Sequence, residues 1–385
     1  MVTTEAYHTM MVPIIALSKV IGVEVWTSDK MFQPMSFVLM GHMLAYNICT
    51  ACTVYKYSND AIQLMKITIV CGVGNQLIVK YFIALSKRQK IKFMYHIIEE
   101  QIYRRYSDGS NEERTIVEKT TRFMNSLWKL LVTLNVSTLF VFGVWPFYVY
   151  YATGEIVPLF MYEIPMTNLD NTLGYVLNLV FHLDTYIIGV MGILLADGFF
   201  IIIVLHSLTI VDLFILHMKE LEDLLRMDEN QGKADRVAEK WKRCLQDHQL
   251  ATEYLRNTEE IGRLMILIQL FGCIYTICDA MLLLTLTDWY ASLCFLIVLF
   301  VDVSIFFILG NSVELKIDEM YQRITDLPWN MMTLSQQKEF SCMVHRSQLP
   351  LMLTVYGFTP LNFETYMSVL KYLYQFFVMI LKYVK

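Results

Sequence analysis

Seven apolar stretches, at 36–55, 61–85, 127–151, 173–208, 261–286, 289–309 and 361–384, constrain this chain of 385 residues more than any motif does. A helix needs about 20 mostly apolar residues to cross a bilayer. Only helices and closed barrels satisfy their backbone groups inside one. The composition agrees. AVILMFWYC make up 56% of the chain and DEKR only 17%, against about 45–50% (Gly included) and about 25% in soluble domains. The expected fold is an all-α membrane protein with seven transmembrane helices. Disorder, nucleic-acid binding through a basic field and a small disulfide scaffold are all disfavoured. The N-terminal decapeptide has no basic region before an apolar run, so the first span is expected to serve as its own insertion signal.

The fourth stretch is too long for a bilayer. At about 1.5 Å per residue it makes a helix near 54 Å, against a hydrocarbon core of about 30 Å. Its C-terminal part, with Asp197, His206 and Asp212, is expected to project into water. Between 209 and 260 charged helix formers mix with Leu at helical spacing, as in Leu221, Leu224 and Leu225. Residues 91–125 read similarly, and 336–349 read as a short amphipathic helix. The expected division is an N-terminal segment at 1–35, spans one to four at 36–208, a helical segment at 209–260, spans five and six at 261–309, a further segment at 310–355 and the last span at 356–385.

Charge sets an orientation. Of 31 Lys and Arg, 26 lie in the N-terminus or in 80–129, 219–263 and 316–346, which cover the segments after spans two, four and six and the span ends beside them, whereas 152–172 holds no basic residue and three acids. The positive-inside rule then places the N-terminus in the cytosol and the C-terminus outside. Seven-span receptors that couple to G proteins have the opposite orientation. No Asp/Glu-Arg-Tyr follows span three and no Asn-Pro dipeptide occurs, so a G-protein partner is not expected. None of the eight cysteines lies in an expected outer loop. Cys49 and Cys52 read as small packing residues, and no metal or cofactor is expected. Gly72 and Gly74 read as a close-packing site rather than a phosphate loop. No nucleophile–base spacing indicates an enzyme.

The last span carries a pattern. Thr365, Ser368, Tyr372, Gln375, Met379 and Lys382 repeat at spacings of three and four, which is one stripe of a helix, and the rest is mostly apolar. A polar stripe in a membrane helix faces protein or water. Two readings stay open from the pattern alone: hydrogen bonding within one bundle, or a pore lining built by several subunits.

The stretch Tyr356-Gly357-Phe358, Pro360-Leu-Asn-Phe-Glu-Thr-Tyr366, Leu370-Lys371, Tyr374 and Phe376-Phe377 resembles the C-terminal signature of insect odorant receptors. The family's frequent Ser-Tyr-Ser in this helix is Leu373-Tyr374-Gln375 here. The resemblance implies a subunit of a tetrameric, odorant-gated, nonselective cation channel. Each subunit supplies its last helix to the pore, and the cytosolic helical extensions form an anchor domain. The chain lacks the enlarged loop between spans four and five of the shared co-receptor, Orco, so it resembles a tuning subunit that assembles with Orco in the plasma membrane of olfactory neurons. Met379 and Lys382 would stand at the outer gate and pore mouth.

The resemblance also implies a pocket for a small volatile odorant in the outer half of the membrane, among spans two to six. The candidates are Lys66, Ile67 and Val70 on span two, Phe140, Gly143 and Phe147 on span three, Phe181, His182, Thr185 and Tyr186 on span four, and Tyr290 and Leu293 on span six. Apolar walls with one or two polar groups suit such a ligand. An ionisable group inside a membrane usually has a partner, and Asp184 is the candidate partner for Lys66. Asp279 and Asp302 raise the same question. Two alternatives stand beside this reading. One is a gustatory-type channel working as a homomer. The other is a secondary transporter using Lys66, Asp184, Asp279 and Asp302 as an ion path, against which the absence of an inverted repeat counts.

Overall fold

The computed structural model describes residues 2–26, 30, 32–169, 171–227, 232–287 and 291–384. They form ten α-helices: α1 Val2–Ile21, α2 Pro34–Lys56, α3 Ala61–Ser86, α4 Arg88–Ile97, α5 Asn111–Thr153, α6 Thr172–Arg226, α7 Lys233–Leu286, α8 Ala291–Thr325, α9 Leu334–Ser347 and α10 Phe363–Val384. A π-helical turn, Ile98–Arg104, prolongs α4. Among the described residues strand-like pairing is limited to one isolated bridge, Thr354 to Pro360. The architecture is all-α, as expected. Helices α2, α3, α5, α6, α7 and α8 are long and apolar enough to cross a membrane. Helix α10 is long enough, at 22 residues, but amphipathic.

Helix α6 is the central element. Its stretch Gly198-Phe-Phe-Ile-Ile-Ile-Val-Leu205 is apolar on every side and buried throughout. A helix apolar all round must be surrounded, and α5, α7, α8, α1 and α3 surround this one. At 55 residues α6 is about 82 Å long, and α7 is nearly its equal. Both continue well past any bilayer core. Helix α1 is not an idle tail. Tyr7, Met10, Met11 and Ile14 of α1 are buried against α5 and α6.

Local chemistry sets the ends. Ser110 and Glu113 form a reciprocal capping box that opens α5, and left-handed Gly154 closes it. The 91–125 segment, read as one helix, is interrupted at Ser107-Asp-Gly-Ser110, a turn sequence. In the Tyr356-Gly357-Phe358 turn before α10, Gly357 has φ +80°, a conformation that suits glycine.

Charges are paired inside the bundle, though not as expected. Asp184 lies 3.3 Å from His42 rather than beside Lys66. Thr68 donates to Asp279 at 2.8 Å. The deep pair is Lys80 of α3 with Asp197 of α6, at 2.7 Å and 3% and 2% exposed. Beside it Gln76 donates to Gln269, which donates to Asp302. Asp197 and His206, expected in water, are 1% and 0% exposed instead, because α6 is still packed on all sides at that depth.

At the charged end of the bundle His217 is buried between two carboxylates, 2.9 Å from Glu113 and 2.6 Å from Asp247. Arg243 reaches Glu113 at 2.6 Å. This cluster ties α5, α6 and α7. Nearby, His248 bonds Ser347 at 2.8 Å. Burial raises the Glu113 carboxyl, but its bonds to His217 and the Ser110 amide and the Arg243 charge outweigh that and hold it below its ordinary value. Burial pushes the His248 imidazole down to about 4.

A depressed folded pKa means that stability is lost as pH falls toward it. For His248 the loss runs from its unfolded value, roughly 6.5, down to about 4. For Glu113 it begins below about 4.3, its unfolded value. The melting temperature of the detergent-solubilised chain is therefore expected to drop on acidification from pH 7. A His248→Gln variant should show a shallower drop between pH 6.5 and 4; an unchanged profile would refute this assignment.

Candidate ligand cavity and the outward stripe of the last helix

A cavity of about 210 Å³ lies among α2, α3, α5, α6 and α8. Its walls are mostly apolar: Leu39 and Met43 from α2, Val70, Val73 and Leu77 from α3, Phe142 from α5, Ile188 and Ile193 from α6, and Phe295 and Val298 from α8. His42, Tyr46, Asn135, Thr138 and Thr185 supply polar groups. His42 Nε2 and Thr185 Oγ1 are 3.0 Å apart and join α2 to α6. Tyr46 donates to the Val70 carbonyl at 3.0 Å. Its ring lies against Gly74, where a Cβ would come within 2.5 Å of the hydroxyl. Gly72 likewise faces Thr276. The two glycines thus mark close packing, as their spacing suggested.

The α5–α6 loop roofs one end of the cavity. Phe160 and Tyr162 are buried, and His182 of α6 holds both. The Phe160 amide donates to His182 Nδ1 at 3.4 Å, which leaves Nε2–H to donate to the Tyr162 carbonyl at 2.8 Å. Glu163 anchors the loop to the end of α2, accepting from Lys56 at 2.5 Å and Tyr57 at 2.7 Å. Asn178 accepts from the Ile164 amide at 2.8 Å.

Of the expected pocket residues, the structure brings Val70, Thr185 and Tyr186 together in the wall. Phe181 stands just behind it, with its ring 5.3 Å from that of His42. His182 is fully buried in the roof, and Ile67 is buried in helix packing. Lys66 is half-buried and not in the wall. Phe140, Phe147 and Leu293 are 71%, 61% and 48% exposed on the outer face of the bundle, and a Cβ at Gly143 would meet nothing within 4 Å. Tyr290 lies outside the described residues.

On α5 the wall is built by Asn135, Thr138 and Phe142 instead. That face carries Asn135, the buried polar residue of the span, and Thr138, whereas Thr133 and Ser137 are exposed. Polarity alone therefore did not single out this face in the sequence. The contribution of α2, through His42 and Tyr46, carried no signal either.

Helix α10 packs on α7 and α8. Tyr366, Val369 and Leu373 lie on the packed side. Tyr366 stacks on Phe307 at 4.9 Å and bonds Ser304 at 2.7 Å. On the other side Ser368, Tyr372, Gln375, Met379 and Lys382 are exposed, and Thr365 is half-buried and bonded to Thr359 at 3.0 Å. The polar stripe therefore faces away from its own subunit.

Gly74→Ala is expected to force the Tyr46 ring aside and to lower stability by about 1–3 kcal/mol, the usual cost of overpacking. Adding Tyr46→Leu should restore most of it. Thermal melting of the two variants checks this, and additive losses would refute the contact.

A model of the 7tm odorant receptor family matches residues 60–374. The chain is 23% identical over 377 residues to a Drosophila melanogaster protein named as odorant receptor 83c, covering 95% of this chain and 94% of the relative. Its fold matches that of the olfactory receptor OR5 of Machilis hrabei in complex with eugenol, at TM-score 0.78 and 11% identity, over 98% of this chain and 99% of that one. A second structure of the same receptor matches at TM-score 0.77 and 12% identity, over 97% of this chain and 99% of that one. Members of this family are ligand-gated channel receptors and not enzymes, and the chain belongs to the insect odorant receptor family.

Proposed function

We propose that this chain is an odorant-tuning subunit that binds a small volatile in the α2–α3–α5–α6–α8 cavity and gates a nonselective cation pore in a heterotetramer with Orco. The observation that carries the reading is the pairing of two features in one subunit. An apolar cavity with few polar groups lies inside the bundle, and a polar stripe on α10 faces outward. Copies of that stripe around an axis would line a water-filled path, as polar faces in membranes do.

The wall residues Val70, Thr185 and Tyr186 are the ligand contacts retained from the sequence, joined by His42, Tyr46, Asn135, Thr138 and Phe142. Thr365, Ser368, Tyr372, Gln375, Met379 and Lys382 are the pore-lining set. The chain sits in the plasma membrane of an olfactory neuron with its N-terminus in the cytosol, as the basic bias supports. The 209–260 and 310–355 segments then form the cytosolic anchor. Helix α8 offers a route between the two sites, because it carries Phe295 in the cavity wall and Ser304 and Phe307 against Tyr366 of α10. Ligand binding would act by favouring the open state.

Lys382 is exposed near the end of the stripe. Four copies would form a ring that repels cations, whereas one copy among neutral neighbours would not. Cells expressing this chain with Orco are expected to give odorant-evoked cation current, and cells expressing it alone to give little. Lys382→Gln should raise the current of the chain expressed alone. A large cation current from the unmodified chain without Orco would overturn the heteromer reading and favour a homomeric channel.

A further inference from the structure

The cavity is elongated. Its wall runs along α3 from Val70 to Ala84 and along α6 from Thr185 to Phe199, and fourteen helical steps amount to about 21 Å. A volume of about 210 Å³ spread over that length is a narrow bore, suited to a chain rather than to stacked rings. About one turn from the Thr185 end of that α6 wall, Gly189 leaves open space, because a Cβ there would meet nothing within 4 Å.

The end away from the roof is not wholly apolar. Trp26, in the segment between α1 and α2, is 2% exposed and forms part of the wall. It is held by edge contacts to Tyr95 and Phe199, at 5.3 and 5.2 Å between ring centroids. Its indole N–H has no hydrogen-bond partner. A buried donor with no acceptor keeps its desolvation cost until an acceptor arrives.

We propose that the cavity takes an elongated, largely aliphatic ligand whose terminal oxygen (hydroxyl, carbonyl or ester) sits at the inner end and accepts from Trp26. The chain then lies along the bore past Gly189 toward the Phe160 roof. The inference rests on the receptor reading above and adds the ligand's shape and polarity and the end at which its head lies.

The test measures binding to the purified full-length chain, and odorant-evoked current from the chain with Orco, using hexanol, dodecanol, dodecane and the compact aromatic eugenol. Each methylene that stays inside strengthens binding about fourfold, so dodecanol, with six more, is expected to bind roughly a thousandfold or more tightly than hexanol. Trp26→Phe keeps the ring and removes the donor. It should weaken dodecanol about fivefold, the net worth of one hydrogen bond, and leave dodecane unchanged. Gly189→Leu should block the bore, abolishing the gain from hexanol to dodecanol while hexanol binding stays within about twofold, which also shows that the variant folds.

Currents to eugenol alone, without dependence on chain length, would overturn this inference and leave the receptor reading standing. Equal losses of dodecanol and dodecane in Trp26→Phe would also overturn it. No current to any probe, with both chains at the cell surface, would instead remove the receptor reading.

Discussion

The Lys80–Asp197 ion pair is the interaction on which the interior arrangement depends. Two charges removed from water are costly unless they meet each other with good geometry, and here they meet at 2.7 Å with almost no exposure. The pair fixes α3 against α6. Gln76, Gln269 and Asp302 extend it to α7 and α8. Four helices are thereby held in one register by groups that have no alternative partner in lipid. Lys80 also lies in the wall of the cavity, so the polar lock and the apolar bore share a side.

That lock and the roof divide the cavity's support between them. At one end Glu163, His182 and Asn178 hold the α5–α6 loop down through hydrogen bonds. Deeper in, the polar network sets the spacing of the helices. Between these ends the walls are aliphatic and aromatic, with Gly74 letting the Tyr46 ring approach the α3 backbone. Helix α8 touches both systems: Asp302 lies in the polar network, Phe295 in the wall, and Phe307 stacks on Tyr366 of α10. A shift of α8 would be felt at the last helix because packed interiors transmit displacement.

Legibility differed by feature. The spans were readable because about 20 apolar residues in a row have few other uses, and helix edges at Ala61 and Leu286 coincide with expected ones. The role of α1 was not readable, since Tyr7, Met10, Met11 and Ile14 form an ordinary apolar stripe with no sign of what it meets. Faces were harder still. Phe140, Gly143 and Phe147 form as good a stripe on α5 as Asn135, Thr138 and Phe142, yet the former meets the outside and the latter the cavity. Aromatic residues suit lipid and pocket equally, and small polar ones can bond their own helix backbone, as Ser137 does to Leu134 while exposed. Ion pairing followed the same rule. The need for partners was plain, but Asp184 found His42 rather than Lys66 because which face of a span meets which neighbour is a matter of packing.

By itself the sequence determined that this is a bundle of membrane-length helices with charged extensions, an amphipathic last helix and a C-terminal signature of one receptor family. Hydropathy and spacing are local properties, and local properties suffice for these. Only the tertiary structure decided that the 55-residue α6 stands at the centre, that α2 and Trp26 contribute to the cavity, and that the α10 stripe faces away from its own subunit. Those facts depend on which helix faces pack together, and packing is settled by contacts between residues far apart in the chain.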